Sequence, residues 1–317
     1  MQLQRPRMAW RMAWPTAWIA GRGFAVAIFL VSIAWPLVGA SAADEGLGSG
    51  GLVAHWKFEE GSGNVVKDSS GNGDNGIIIP ANAPERRWGT DKFAGSIAFD
   101  GGTIVRIPAS ESLNSLKRQI TVIAHVYPRS LWTPPTIYQR VWRKAVHSAE
   151  RLLGMATNNK EKEAGFIAVV QRQWREAGHP DLFYLGYGRE NNVLLYKWHL
   201  GLTETEVSLY RLPSGQAGPA VGEWVHLAGT YDGETGKMSL YVNGKLIGSQ
   251  THAGEIRLDS ESLNRPLVIG GELNGSDIDD ASNRFNGYVD DVRIYDRALS
   301  GEEIEILAEE AGKQATK

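Results

Sequence analysis

Residues 224–249, WVHLAGTYDGETGKMSLYVNGKLIGS, constrain the fold of this chain more than any other stretch. Two runs of alternating apolar and polar residues, VHLAGTY and KMSLYV, are joined by the turn-forming residues DGETG, and Asn243-Gly244 follows the second run. A period of two places successive side chains on opposite faces of a β-strand, and Asn-Gly supplies the positive φ angles of a tight hairpin turn. The segment therefore predicts an antiparallel β-meander.

Most of the chain after residue 51 repeats this pattern of short strands and turns. Runs rich in Val, Ile, Phe and Tyr are bounded by Gly, Pro, Asn or Asp, and 37 of the 317 residues are glycine. Strands do not alternate with helical segments, which argues against a parallel α/β sheet. One helix is expected after Ser300, where S-G-E-E forms a capping box ahead of IEILAEEA. The pattern predicts an all-β, two-sheet antiparallel sandwich with a short C-terminal helix.

The first 42 residues have the composition of a signal peptide. Four arginines precede the apolar run FAVAIFLVSIAWPLV, and small residues at Ala40 and Ala42 form an A-x-A cleavage pattern. The alternative is an uncleaved membrane anchor, but the run is about 15 residues long and contains Pro36, whereas a helical span needs about 20. We therefore expect residues 1–42 to be a cleaved signal peptide and 43–51 a flexible spacer, in a secreted, periplasmic or cell-surface protein.

Charge and cysteine content narrow the classes of partner. The net charge is −3, and the leader contains four arginines and no acidic residue, so the remaining chain is more acidic still. Such a chain is a poor candidate for binding nucleic acid or anionic lipid, and we expect membrane contact only transiently, through the signal peptide. Cysteine is absent, so the stability of an exported protein with this sequence depends on its core, its sheet pairing or a metal.

Five segments occur in a characteristic order along the chain. They are FEEGSGNVVKDSSGNGDNG (58–76), SIAFDG, ITVIAHVYP, EWVHLAGTYDGETGKMSLYVNGKLIGS and FNGYVDDVRIYDRALSGEEI (285–304). In this order they resemble LamG-like jelly-roll domains of the concanavalin A-like lectin/glucanase superfamily. The resemblance covers residues 52–308, leaves 309–317 as a tail, and implies two curved antiparallel sheets packed face to face, often with calcium at one edge. The chain departs from the family at His125, where relatives usually carry Trp, and in its long segment between Arg129 and Pro213.

The loop DSSGNGDNG is the best candidate for a metal site. Asp68, Asn72 and Asp74 supply oxygen atoms at a spacing typical of a calcium loop, but no acid stands at the twelfth position, where an EF-hand needs one. The predicted donor that completes the site is the pair Asp290 and Asp291, with one carboxylate pointing inward and the other outward. Calcium would then act as a structural clip between loop and strand. Alternatively, the Asp and Asn residues of the loop only build Asx-turns.

Three tryptophans form the predicted carbohydrate platform. Sugars pack their C–H faces on aromatic rings, so a glycan-binding surface needs exposed rings. Trp132, Trp174 and Trp198 lie among charged residues in the atypical middle segment and are the candidates. The alternative is that they pack long hairpins onto the sandwich. Trp56 and Trp224 lie in strands that match the family core, and we expect both to be buried.

Catalytic patterns are weak in this sequence. Glu204 and Glu206 share a strand face if TETEVSLY is extended, but related glucanases use Glu-x-Asp-x-x-Glu, and Leu209 stands where the third acid is needed. We therefore predict no catalytic residues. The prediction is an exported, non-catalytic binding module for a polysaccharide or an extracellular surface component. The alternatives are a glycan-cleaving enzyme that uses the two glutamates and a purely structural or protein-adhesion domain.

Overall fold

The computed structural model describes residues 50–79, 87–131, 166–173, 181–191, 193–258, 260, 262–273, 281–282 and 284–314. All of them lie within one compact unit, Ser41–Lys317. The predicted signal peptide, most of the predicted spacer, Trp132 and Trp174 lie outside the described residues.

The described residues form a series of short strands, three 3₁₀ helices and one α-helix. The strands are β1 (Leu52–Trp56), β2 (Val65–Val66), β3 (Gly76–Ile79), β4 (Ile97–Asp100), β5 (Ile104–Ile107), β6 (Gln119–Ser130), β7 (Phe166–Gln173), β8 (Asp181–Glu190), β9 (Val193–Gly201), β10 (Glu206–Arg211), β11 (Val225–Asp232), β12 (Lys237–Val242), β13 (Lys245–Thr251), β14 (Leu267–Ile269), β15 (Glu272–Leu273), β16 (Ala281–Ser282) and β17 (Asn286–Tyr295). The 3₁₀ helices are Asp91–Phe93, Leu113–Ser115 and Ser262–Asn264, and the α-helix is α1 (Gly301–Gln314).

Two antiparallel sheets contain most of these strands. Sheet A has the order β1-β17-β6-β11-β12-β13, and β4 also pairs with β17. Sheet B has the order β10-β9-β8-β7-β14-β5-β3-β2, while β15 and β16 pair only with each other in the described part of the chain. The predicted meander is therefore β11-β12-β13 at one side of sheet A. The prediction of an all-β, two-sheet antiparallel fold with a short C-terminal helix is confirmed.

The core lies between the two sheets and requires a glycine in β11 where the Trp198 ring packs against it. In β11, Val225, Leu227 and Tyr231 point into the core, as their alternation predicts. Trp198 of β9 is fully buried and packs over Gly229 of β11, where an added Cβ would lie 2.4 Å from the indole ring. A side chain at position 229 would therefore force the sheets apart, because protein interiors are close-packed.

The helix α1 closes the outer face of sheet A at one end. Its capping box is formed as predicted: the Glu303 N–H donates to Oγ of Ser300 at 3.2 Å, and the Ser300 N–H donates to Oε2 of Glu303 at 2.8 Å. Ile304 and Leu307 of α1 pack on the outer face. The helix continues to Gln314, through most of the segment predicted to be a tail. None of the described helices has the length and apolar character needed to span a membrane.

Candidate functional site

The outer face of sheet A, opposite the core, carries two different surfaces. Where α1 packs, the face is apolar and includes Ile123, Ala228, Tyr241 and Tyr295. Further along β17, β6 and β11, the outward positions are occupied by acidic, histidine and aromatic side chains. This second surface contains the candidate site.

Strand β17 contains a bulge at Asp290 and Asp291. β4 pairs with β17 as far as Val289, β1 pairs with it from Val292 onward, and both valines belong to the core. The register against β6 shifts between Asp290 and Arg293, and Asp291 has a φ of 44°. Two residues between two core-facing valines both occupy the outer side of the strand. The prediction that the two carboxylates point in opposite directions is therefore wrong.

Asp291 is buried and held by two basic side chains. Nε2 of His55 lies 2.7 Å from its Oδ1, and Arg293 donates from Nε to Oδ1 at 2.7 Å and from Nη2 to Oδ2 at 3.0 Å. Burial alone would raise the pKa of Asp291, but the hydrogen bond with His55 and the charge of Arg293 hold it well below its ordinary value. Protein groups thus compensate the charge of this carboxylate.

Asp290 is half-buried next to this ion pair and behaves differently. Burial and the adjacent charge of Asp291 raise the pKa of Asp290 to about 8. Its Oδ1 accepts a hydrogen bond from the Asp291 N–H at 2.7 Å. At neutral pH its carboxyl group is therefore largely protonated and adds little negative charge to the site.

His125 of β6 and His226 of β11 are directly opposite each other, and Asp290 is the β17 partner of His125. Both histidines are only 3% exposed. Nδ1 of His125 and both ring nitrogens of His226 are buried without a hydrogen-bond partner among the described residues. Burial lowers the pKa of His125 to about 4 and that of His226 to about 3, so both rings are neutral at pH 7. Unpaired buried nitrogens are uncommon in folded proteins, and three in one row mark an unusual site.

The loop predicted to bind calcium is closed by its own hydrogen bonds. Oδ1 of Asp68 accepts from the N–H groups of His55 and Ser70, both at 2.9 Å. Oδ2 accepts from the Ser70 hydroxyl at 2.7 Å and from the Asp74 N–H at 3.1 Å. Burial alone would raise the pKa of Asp68, but these hydrogen bonds lower it. Both carboxylate oxygens are therefore directed at protein donors, as in an Asx-turn.

The predicted calcium ligands do not form one ligand set in this arrangement. Within the described ranges, no three acidic or histidine side chains are grouped as metal ligands. His55 joins the loop to β17 instead, because its N–H binds Asp68 and its ring binds Asp291. The hydrogen bonds fit the Asx-turn alternative, and calcium binding stays a prediction. The residues concerned are Asp68, Asn72, Asp74, Asp290 and Asp291.

Four half-buried aromatic rings lie beside His125 and His226. We call Phe93, Tyr127, Trp224 and Tyr288 the aromatic cluster. Phe93, at the end of a 3₁₀ helix, stacks on Tyr288 with centroids 3.8 Å apart and meets Tyr127 edge-on at 4.9 Å. Trp224 stacks on His125 at 4.6 Å and contacts Tyr127 at 5.7 Å. The aromatic cluster therefore adjoins the pair His125 and His226, and Trp224 covers His125.

Two exposed cationic side chains lie over the aromatic cluster. Nζ of Lys92 is 5.0 Å from the ring centroid of Phe93 and 5.8 Å from that of Tyr127. The guanidinium of Arg129 is 5.1 Å from the centroid of Tyr288. Neither cation pairs with a carboxylate in the described part of the chain. Cation–π attraction holds both groups over the rings while leaving their charges free.

The predicted carbohydrate platform differs from this cluster. Trp198 is fully buried, and its Nε1 donates to the Thr230 carbonyl at 3.2 Å, so the prediction that it presents a ring to a sugar is wrong. Trp132 and Trp174 lie outside the described residues. Trp224 was expected to be buried but is half-exposed. The sequence itself indicates that Trp224 is exposed, because alternation from Val225 assigns Trp224 to the outer face of the sheet.

The two glutamates considered for catalysis do not alternate along one strand. Glu204 lies in the turn before β10, and Glu206 is the first residue of β10. Both side chains are exposed, and Oε1 of Glu206 lies 3.6 Å from Nη1 of Arg257. The strand geometry that a related glucanase would need is therefore not formed by this pair.

Comparison with curated proteins gives a partial match. Pentraxin-related protein PTX3 of Mus musculus is 38% identical over 88 residues, which are 27% of this chain and 23% of that protein. The PTX3 of Homo sapiens is 35% identical over 88 residues, again 27% of this chain and 23% of that protein. The match thus spans about a quarter of the length of these curated relatives.

Comparison with solved structures and family models covers a larger part of the chain. Domain 4 of AbnA, a GH43 extracellular arabinanase from Geobacillus stearothermophilus, superposes with a TM-score of 0.47 at 20% identity, covering 81% of this chain and 98% of that one. Trypanosoma rangeli sialidase gives 0.51 at 14% identity, covering 84% of this chain and 34% of that one. A model of the concanavalin A-like lectin/glucanases superfamily matches residues 99–305. Because this match includes well over half of the chain, the protein belongs to the concanavalin A-like lectin/glucanase superfamily.

Proposed function

We propose that this chain is a non-catalytic carbohydrate-binding domain that holds a polysaccharide on the aromatic cluster. The observation that carries the proposal is the grouping of four half-exposed rings on one face of sheet A. Aromatic rings bind the C–H faces of sugars, and a surface of several rings suits a chain of sugar units. Membership of a superfamily of lectins and glucanases supports the same class of ligand.

The carboxylates of the site support binding rather than hydrolysis. A glycosidase of the usual kind needs a protonated acid and a second carboxylate that reaches the sugar or a water. Asp290 has the raised pKa of an acid. Its neighbour Asp291, however, is buried and held by His55 and Arg293, so its oxygens are directed at the protein. Asp291 is therefore not free to act as that second carboxylate.

The proposed setting is outside the cytoplasm. The support is the leader at residues 1–42, with its arginines, short apolar run and A-x-A pattern. The partner would then be a free polysaccharide or the polysaccharide of a cell surface or matrix.

Substitution of Trp224 tests the proposed function. We expect the protein from residue 43 onward to bind at least one polysaccharide in affinity electrophoresis or on a glycan array. Trp224→Ala should weaken that binding about tenfold or more, since loss of about 1.4 kcal/mol of ring–sugar contact corresponds to a factor of ten.

The matched control is Tyr210→Ala, which removes a half-buried aromatic ring from sheet B. Thermal unfolding should show that both variants are folded. Binding that survives Trp224→Ala unchanged, or a folded wild-type protein that binds no polysaccharide, would contradict the proposal.

A further inference from the structure

We infer that the polysaccharide held on the aromatic cluster is acidic and carries carboxylate or sulfate groups. This inference rests on the proposed function, and it specifies the class of ligand. Its basis is a pair of cations next to the aromatic cluster: Nζ of Lys92 is 5.0 Å from the centroid of Phe93, and the guanidinium of Arg129 is 5.1 Å from that of Tyr288.

The two cations are placed to meet substituents of a stacked sugar. Phe93 and Tyr288 are stacked on each other, with Lys92 over the first ring and Arg129 over the second. Lys92 is also 5.8 Å from the centroid of Tyr127. A sugar bound to the aromatic cluster would therefore lie next to an ammonium or a guanidinium group. An anionic substituent on that sugar can accept charge-assisted hydrogen bonds from them, in a bidentate manner from arginine.

Lys92 and Arg129 form no ion pair with a described carboxylate, whereas several other described arginines do. Arg129 donates from Nη2 to the carbonyl oxygen of Phe99 at 2.8 Å, which fixes the guanidinium without neutralising it. Lys92 and Arg129 therefore remain available to an anion from outside. The described arginines that do pair with carboxylates are Arg87, Arg118, Arg257, Arg293 and Arg297.

The two cations are not ion-paired with the described acids near the site, although the net charge of the chain is −3. The charge of Asp291 is compensated by Arg293, and the raised pKa of Asp290 leaves that group largely neutral at pH 7. Two exposed acids, Asp91 and Glu223, adjoin the cluster in sequence. Oδ2 of Asp91 accepts from the Thr90 hydroxyl at 3.4 Å, and Glu223 lies beside Tyr196. Neither acid forms an ion pair with the two cations, so an anionic sugar does not have to displace a bound carboxylate.

A pair of ligands with the same backbone and different charge tests the inference. Homogalacturonan can be prepared with most of its carboxyl groups free or with most of them methyl-esterified. We expect the free-acid form to bind at least tenfold more tightly at low ionic strength, and this preference to shrink at high ionic strength because salt screens exposed charges. Dextran sulfate compared with dextran tests sulfate as the source of the negative charge.

The variants Lys92→Gln and Arg129→Gln connect the preference to the site. Each should weaken binding of the preferred acidic polymer about tenfold and so reduce its preference over the neutral form, and Lys245→Gln, an exposed lysine of β13, should leave that preference as in the wild type. Thermal unfolding checks the fold of Arg129→Gln, since this change also removes the hydrogen bond to Phe99.

Different outcomes separate this inference from the proposed function. Equal binding of charged and neutral polymers, lost in Trp224→Ala, would overturn the inference and leave the proposed function standing. A charge preference that persists in Lys92→Gln and Arg129→Gln would also overturn it. A folded wild-type protein that binds none of the polymers would overturn both.

Discussion

The buried histidine pair should make the stability of the domain fall in mild acid. The pKa of His125 and of His226 is 6.5 in the unfolded chain, and burial lowers it to about 4 and about 3 in the folded protein. Between these values the unfolded chain binds more protons, so stability decreases as pH falls. Each proton that the unfolded chain binds in excess changes the free energy of unfolding by about 1.4 kcal/mol per pH unit. The contribution is complete above the unfolded pKa and is lost as pH falls from about 6.5 towards 4.

Asp290 acts in the opposite direction over the same range. Its pKa rises from 3.8 in the unfolded chain to about 8 in the folded protein, so here the folded protein binds the extra proton. This contribution is complete below the unfolded pKa and is lost as pH rises towards 8. Between pH 5 and 6, unfolding takes up about one proton at each of the two histidines and releases about one proton from Asp290. The unfolded chain therefore binds roughly one proton more than the folded protein. The free energy of unfolding should therefore fall by about 1 kcal/mol from pH 6 to pH 5.

Two substitutions should change this slope in opposite directions. His226→Gln removes one titrating histidine and should bring the slope close to zero. Asp290→Asn removes the opposing group and should raise the slope to about 2 kcal/mol per pH unit. Urea denaturation followed by tryptophan fluorescence at several pH values between about 5 and 6 measures the slope separately from any overall loss of stability.

The control is His252→Gln, which changes an exposed histidine and should leave the slope as in the wild type. A wild-type slope in His226→Gln would contradict the titration assigned to the buried histidines. A shift of the slope in the same direction in His226→Gln and Asp290→Asn would contradict the opposing roles of the two groups.

Three further changes test the packing, the helix cap and the loop. Gly229→Ala should destabilise the protein by about 2 kcal/mol or more in urea denaturation, because its Cβ would lie 2.4 Å from the Trp198 ring; a loss below about 0.5 kcal/mol would contradict the described packing. Ser300→Ala removes the capping hydrogen bond to Glu303 and should cost about 1 kcal/mol, measured in the same way; an unchanged stability would show that the cap is not formed. Asp68→Ala should lower the melting temperature equally in EDTA and in calcium, because both its oxygens accept protein hydrogen bonds; a loss seen only with calcium would support the predicted cation site.

Local sequence patterns were sufficient to predict the fold class. Alternation and turn residues act over a few positions, so the meander and the capped helix could be predicted without knowledge of distant partners. β9 contains the same kind of alternation, with Tyr196, Trp198 and Leu200 on the core side and Lys197 and His199 opposite. The neighbouring charges suggested an exposed platform, but the alternation determines that Trp198 is buried.

The candidate site depends on contacts that local patterns do not contain. The bulge of β17 lies where its pairing changes from β4 to β1, so both aspartates face outward only because of distant strands. The aromatic cluster is assembled from a 3₁₀ helix, β6, the residue before β11 and β17, which are far apart in the sequence. Alternation assigns Trp224 to the outer face, but only the paired sheet shows that the four rings meet.

The position of β17 within sheet A restricts when the chain can fold during synthesis. β17 is the last described strand, yet it pairs with β1, the first, and with β6. Before residues 286–295 have emerged from the ribosome, β1 lacks its strand partner and β6 has an open edge. Sheets built from such distant contacts form slowly, and sheet A cannot be completed until most of the chain has been made. Termination before β17 would therefore release a polypeptide with unpaired edges that is prone to aggregate, rather than a smaller folded domain.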